Sequence, residues 1–392
     1  MESRSPEFSD WLKDNLQLEL KRKRPDDYKS FPRGADLLIY FYELALRLLN
    51  EEGYNVFITE NAWLSTDYGK LFQDFLRTKC EVRAVIDSDY KYFETADINT
   101  VITVFRNRQS NGAGIPVRFF HCMGSLKDFP CNTFSNKATD NVSFKQFNSN
   151  DAILVSNKWS VVSGSDAKLL DIIRQLFESR SESLSERIAI GQGLNITKNN
   201  IVYQRLPNTV PYYTSEIGAT YSWEGANCYV KSEVASNCRQ KPLLILPRGL
   251  GTHFCSINNC GGYTSSYVEV YGSITEAEKL SIWLFCNSSL LWLLREITGR
   301  TNLGGGMLKA EATDLRGLPI AFDFDYVRAS ELYANLRGKS FNTDLSITIQ
   351  SHEHKSVDDF VLSQLGLTAE KDYIVQALMA RVKGRMKKSQ SK

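Results

Sequence analysis

Order in the polarity pattern begins at "GADLLIYFYELALRLLNEEGY", where Leu37, Leu38, Phe41, Leu44, Ala45, Leu48 and Leu49 recur at helical spacing. The spacing predicts a helix that buries this stripe, with Asp36 as its N-cap or first-turn acid and Gly53 as its stop. Tyr54 to Thr59 is apolar and β-branched and reads as a strand, and Thr66 to Lys79 returns to helical spacing. Between them "ENAWL" puts a carboxylate, an amide and an indole where a bland connector would carry Gly or Pro. "VRAVIDSD" (Val82 to Asp89) and "INTVITVFRN" (Ile98 to Asn107) read as two more strands. Too few residues separate them for a parallel crossover, so they pair antiparallel. Helix–strand–helix–strand–strand is an α/β pattern, half of a doubly wound sheet that ends in a hairpin. Ligands of open α/β sheets bind at the carboxyl ends of the strands, so Asn61 and Trp63 are expected to face a cleft there.

From residue 110 to 150 a Gly-, Asn- and Ser-containing connector carries some strand character in "IPVRFFHC". Ser165 to Ile188 predicts a helix packing by Leu169, Ile172, Ile173 and Leu176. The texture then changes to short strands rich in Tyr and Thr with frequent Gly and Asn, and one long apolar helix over Thr275–Thr298. The last segment is helical and ends in "RVKGRMKKSQSK", with six basic residues and no acid.

Composition narrows the function classes. At 392 residues, 42% hydrophobic and 23% charged, the chain reads as a globular protein of two or three domains. A net charge of +2 gives no polyelectrolyte signal, so a nucleic-acid surface has to be local, as a basic face or tail. No apolar run approaches a membrane span, and "LSIWLFCNSSLLWLL" is interrupted by Asn287, Ser288 and Ser289. The eight Cys form no CxxC pair and there are only four His, which argues against zinc and for reduced cytosolic thiols. The basic cluster "KRKRPDDY" (Lys21 to Tyr28) reads equally as a solvated loop or as a phosphate contact.

The segment order from "DLLIYFYELALRLL" through "GYNVFITENAWLSTDYGKLFQDFL" to "VRAVIDSDYKYFETADINTVITVF" resembles the later part of the catalytic domain of adenine-specific DNA methyltransferases. The closest likeness is to those of type II restriction–modification systems, in which a target-recognition domain follows. "RIAIGQGLNITKNNIV" resembles the entry to that domain and "LSIWLFCNSSLLWLLREITGRTNLGGGMLKAEATDLRGLPI" its closing helix and Gly-rich turn. "VDDFVLSQLGLT" resembles the group's tail, so the likeness covers most of the chain. It implies a partial Rossmann-like methyltransferase domain over residues 34–188 behind a polar segment 1–33. An α+β recognition domain over 189–320 and a helical, basic-tailed segment 321–392 would follow. Members bind S-adenosylmethionine on a Gly-rich loop and hold the target amine with an (Asp/Asn)-Pro-Pro-(Tyr/Phe) motif. Neither is present: of the ten Pro, none adjoins another and none follows Asn or Asp. The sequence therefore reads as a carboxy-terminal portion, completed by a protein partner that carries the missing motifs.

The likeness also suggests roles. Phe93 matches the aromatic that stacks on the flipped adenine, although alone it reads as a core residue at a bend. Phe41 matches the ring that packs on the cofactor's adenine, with Asp36 beside it, although its helix spacing reads as core. Arg248, Arg295, Arg300, Asn302 and Lys309, with Lys198, are the candidates for contact with double-stranded DNA. Gly304–Gly306 reads as a flexible loop, with or without a DNA partner. Three function classes remain open: a split adenine methyltransferase of the bacterial or archaeal cytoplasm, a DNA-binding specificity module, and an inactive remnant. His253, His352 and His354 match no nucleophile constellation and read as structural or surface residues.

Overall fold

The computed structural model describes residues 36–50, 52–88, 93, 99–107, 114–123, 142–179, 188–194, 196–214, 218–226, 228–236, 241–265, 267–299, 308–316, 318 and 321–390. The basic cluster at Lys21 to Tyr28, Arg300, Asn302 and Gly304–Gly306 lie outside the described residues. The chain divides into two compact units, residues 1–165 and 166–392.

In the first unit, α1 (Leu37–Leu48) leads into β1 (Asn55–Glu60), a 3-10 turn (Asn61–Leu64), α2 (Asp67–Lys79), β2 (Cys80–Ser88) and β3 (Thr100–Asn107). β4 (Pro116–Cys122), β5 (Val142–Asn148) and the short helices α3 (Ala152–Ser156) and α4 (Trp159–Gly164) follow. The sheet order is β1-β3-β2-β4-β5. β3 runs antiparallel to both neighbours, while β2 and β4 pair in parallel, so β1, β2 and β4 share one direction. The predicted β2–β3 pairing is present. The sheet nevertheless does not end in that hairpin, because β3 is interior and the expected connector supplies β4 and β5. The alternate residues Val117 and Phe119 of β4 are buried, as are Val82 and Val85 of β2, which the bulge between Val82 and Ala84 brings to one face.

α1 begins where predicted, behind Asp36, but ends at Leu48, short of the expected stop at Gly53, and buries the opposite face. Its buried residues are Ile39, Tyr40, Tyr42, Glu43 and Leu46, while Phe41, Leu44 and Leu48 are exposed. Tyr42 decides the orientation: its ring meets Phe57, Phe72 and Phe105 at 4.8–4.9 Å, and its hydroxyl bonds Thr103 Oγ1 at 3.1 Å. Spacing could not choose, since α1 is apolar on both faces. β1 lies at the sheet edge, with Val56 63% and Ile58 47% exposed.

The second unit opens with α5 (Ala167–Ser179), whose Leu169, Ile172, Ile173 and Leu176 are buried as the spacing predicts. There follow β6 (Ala189–Gln192), β7 (Ile201–Val202), β8 (Thr209–Tyr213), β9 (Ser222–Trp223), β10 (Cys228–Lys231), α6 (Ser232–Ser236), β11 (Leu244–Pro247) and β12 (Gly249–Leu250). β13 (Ser256–Asn258), β14 (Tyr263–Thr264) and β15 (Tyr267–Tyr271) precede α7 (Glu276–Cys286), α8 (Ser289–Thr298), β16 (Leu308–Lys309) and α9 (Ala312–Arg316). The chain ends in α10 (Tyr326–Leu336), α11 (Leu345–Gln350), α12 (His352–Gln364) and α13 (Lys371–Gln390). The strands form sheets ordered β14-β8-β10-β7 and β6-β15-β11-β13-β9, with β12 paired to β16. The single helix expected over Thr275–Thr298 is two. Asn287 turns its side chain onto the Cys255 backbone, bonding both N and O, and Ser288 caps a new helix through Leu291 N.

Candidate functional site

The carboxyl end of β1 collects the polar groups of the first unit. Thr66 caps α2 by accepting from Gly69 N, which closes the strand–turn–helix junction. Gln73, fully buried on α2, donates to Trp63 O at 2.8 Å and Leu64 O at 3.1 Å and accepts from Trp159 N at 3.0 Å. Trp63 is fully buried too, its ring against Phe72 and Trp159 and its Nε1 donating to Thr59 Oγ1. The indole thus fixes the turn from beneath, and the role of Gln73 in locking it had no signal in the spacing. Asn61 is half-buried and its N–H donates to Asn99 O at 2.9 Å, tying the turn to the start of β3.

Asp36 caps α1 by accepting from Leu38 N at 3.0 Å. Burial, and then the Asp36 carboxylate nearby, push the Glu60 carboxyl above its ordinary value. Glu60 is therefore a neighbour of Asp36 that sequence reasoning left without a role. Phe93 is 43% exposed, on the connection between β2 and β3. Phe41 is 55% exposed on the outer face of α1, so its ring is open to a ligand. This end of the sheet offers two carboxylates, an amide and exposed aromatic rings, and among the described residues no group of His, Cys, Asp or Glu that could hold a metal.

In the second unit the candidates separate. β12 and β16 pair Gly249 with Lys309, and Ala310 N donates to Arg248 O, which brings Arg248 and Lys309 together. Both reach Glu311 at 2.8 Å, two cations on one carboxylate. Arg295 is not with them. It is buried on α8 and donates to Pro247 O, and burial pushes its guanidinium down to about 10. Its place in the core makes it a scaffold under β11 and leaves no surface for a phosphate. Lys198 lies in the 3-10 turn Lys198–Asn200 that precedes β7.

His253 and His354 are buried and hydrogen-bonded, whereas His352 is exposed, and the surroundings of His354 mimic chemistry. Ser289 Oγ lies 2.8 Å from His354 Nε2 and 2.7 Å from Asp358 Oδ2. The residue types are those of a nucleophile triad, but the carboxylate bonds the hydroxyl itself and not the far ring nitrogen, so the triad order is absent. All three are buried, and Asp358 also accepts from Ser289 N, so the group closes the start of α8 where no substrate can enter.

Residues 11–93 match the Eco57I restriction-modification methylase family, the stretch that runs through α1, β1 and the junction to Phe93. No curated protein matches the chain. Among solved structures, the type IIL restriction-modification enzyme MmeI in complex with DNA aligns with a TM-score of 0.52 at 10% identity. That alignment covers 95% of this chain and 55% of the other. The type IIG restriction endonuclease BpuSI aligns with a TM-score of 0.38 at 10% identity, over 95% of this chain and 52% of its own. The chain spans about half the length of the solved structures it matches. Its fold is similar to that of the corresponding part of MmeI. Through residues 11–93 the chain is similar to the Eco57I restriction-modification methylase family.

Proposed function

We propose that this chain serves site-specific adenine methylation of double-stranded DNA, supplying the later part of a Rossmann-like catalytic domain (34–188) and a target-recognition domain (189–320). The observation that carries the reading is the family match of residues 11–93, whose matched stretch includes Asp36, Phe41, Asn61, Trp63 and Phe93. S-adenosylmethionine, the methyl donor in this reading, supplies a methyl group bonded to a positively charged sulfur. Phe41 would meet its adenine ring, with Asp36 beside it, and the exposed ring fits that role. The target adenine has to leave the duplex before its amine can be aligned, and the exposed Phe93 ring offers it a stacking surface. Asn61, whose N–H donates to Asn99 O, would stand at the pocket wall in this reading. Arg248 and Lys309, with Lys198, Arg300 and Asn302, are assigned to DNA, whereas Arg295 positions the strand that carries Arg248.

A second polypeptide supplies the cofactor loop and the Pro-Pro motif in this reading. It would join at the free edge of β1. The edge has a twofold basis: β1 carries exposed Val56 and Ile58, with no Lys or Pro to guard it, and α1 turns Phe41, Leu44 and Leu48 outward. The test is to combine the purified chain with a polypeptide bearing both missing motifs, add labelled S-adenosylmethionine and duplex DNA, and analyse the nucleosides. N6-methyladenine that forms only with both polypeptides is expected. Methylcytosine would overturn the adenine assignment. DNA binding without methyl transfer would leave the chain a specificity module.

A further inference from the structure

The connection between β7 and β8, residues 203–208, ends in a firmly built turn, Leu206–Thr209, and carries exposed apolar side chains. Pro207 and Asn208 are its central residues, and Asn208 takes a φ of 63°, the left-handed value that position i+2 of a type II turn requires. Thr209 closes it three times: its N–H and its Oγ1 donate to Leu206 O at 3.3 and 2.7 Å, and its Oγ1 accepts from Leu206 N at 3.1 Å. Asn208 O accepts from Ser232 N at 2.8 Å, which anchors the turn to the start of α6. On the connection Tyr203 is 70% and Leu206 50% exposed, with Gln204 and Arg205 also exposed. Tyr203 follows β7 at the Cys228 end of β10, and the chain crosses from there to Thr209 at the Lys231 end. Lys231 stands opposite Thr209 in the β10–β8 register and is exposed. Among the described residues, the side chains of Arg205 and Lys231 have no hydrogen bond or ion pair, and Glu233, two residues past Lys231, leaves the face net positive.

Folding explains none of this. A turn closed this well needs neither a tyrosine nor a leucine pointing outward, and two cations with no ion pair among the described residues add repulsion rather than stability. An apolar wedge flanked by cations fits a base step flanked by phosphates: Leu and aromatic side chains enter between bases while Arg and Lys neutralise the backbone. We infer that the 203–208 tip, with Lys231, is a duplex-DNA contact in which Tyr203 and Leu206 wedge a base step and Arg205 and Lys231 hold phosphates. This rests on the DNA-binding reading of the second unit and adds a site that none of the Gly-rich-turn candidates includes. Gln204, carried between the wedge and the cation, is placed to reach a base edge.

The test uses the full chain, a fluorescein-labelled mixed-sequence duplex and anisotropy titrations across a range of NaCl. Arg205→Ala with Lys231→Ala should flatten the log-affinity against log-salt slope by about 2, one for each phosphate that no longer meets a cation. Tyr203→Ala with Leu206→Ala should keep the slope and weaken binding about tenfold. A second duplex with 2-aminopurine in its TpA steps, the steps that unstack most readily, should brighten with the parent chain and not with this apolar pair. Because all four side chains are exposed, each variant should keep the parent's thermal transition. If the parent binds and either pair behaves like it, the tip is not a DNA wedge, and the DNA-binding reading stands without it. A parent chain that binds no duplex overturns both.

Discussion

Replacing Arg385 by Met tests how far the basic C-terminal helix is structure and how far it is a DNA cation. Arg385 lies on α13 with a buried side chain, and its guanidinium grips Glu296 of α8 with two bonds, Nε to Oε2 at 2.9 Å and Nη2 to Oε1 at 2.8 Å. His253 Nε2 reaches the same Oε1 at 2.8 Å. Burial pushes the Glu296 carboxyl up, but His253 and Arg385 outweigh it and hold the carboxyl below its ordinary value. Met keeps most of the volume and removes the charge, which leaves Glu296 ionised in the core with a single partner. Removing one member of a buried pair costs about 3–5 kcal/mol, whereas replacing both by apolar side chains is near neutral. For a unit of this size each kcal/mol moves the Tm by about 2–4 °C, so Arg385→Met should lower it by about 6–20 °C. The added Glu296→Met should restore most of that loss. Thermal melts followed by circular dichroism read both variants. A loss of under about 1 kcal/mol for Arg385→Met, or equal losses in single and double variants, would falsify the claim that this pair ties α13 to the core.

Gly69→Ala sets two effects against each other. Ala gains about 1 kcal/mol of helix propensity in α2, but a Cβ there would lie 1.8 Å from Trp63 O. Backbone overlap wins, and urea denaturation should show a loss of about 1–3 kcal/mol. Acidification should destabilise the second unit through His253. Burial, against the pull of Glu296 and with Arg295 and Arg385 nearby, lowers its folded value below 6.5, so the unfolded chain binds the proton first. Stability should therefore be full above pH 6.5 and fall as the pH drops from there towards the folded value. His253→Gln should flatten that part of the Tm profile, and an unchanged profile would remove His253 as its cause. Ile58→Lys, on the exposed edge of β1, should leave the melting temperature within about 1 °C. It should abolish association with a polypeptide bearing the cofactor loop, measured by calorimetry. Undiminished association would place the partner elsewhere.

What the sequence could reveal was limited by whether local pattern alone decided each feature. The spans of α1, β1, α2 and α5 were legible because propensity, caps and spacing agree there. The buried face of α1 was not, because Leu37, Phe41, Leu44 and Leu48 make one apolar stripe and Ile39, Tyr42 and Leu46 another. Only the distant Phe105 and Thr103 select between them. The split between α7 and α8 was similarly hidden, since Asn287 breaks the helix by serving Cys255, thirty-two positions away. The same limit governs the DNA candidates. Arg248, Arg295 and Arg205 are equivalent as letters, but one shares Glu311, one is sealed against Pro247 and one is exposed with no ion pair among the described residues. A cation earns a nucleic-acid role by what it leaves unsatisfied, and that is a property of the fold. By that criterion the tip at 203–208, in a stretch with neither the basic run nor the Gly-rich signal that drew attention elsewhere, is the better-prepared surface of the second unit.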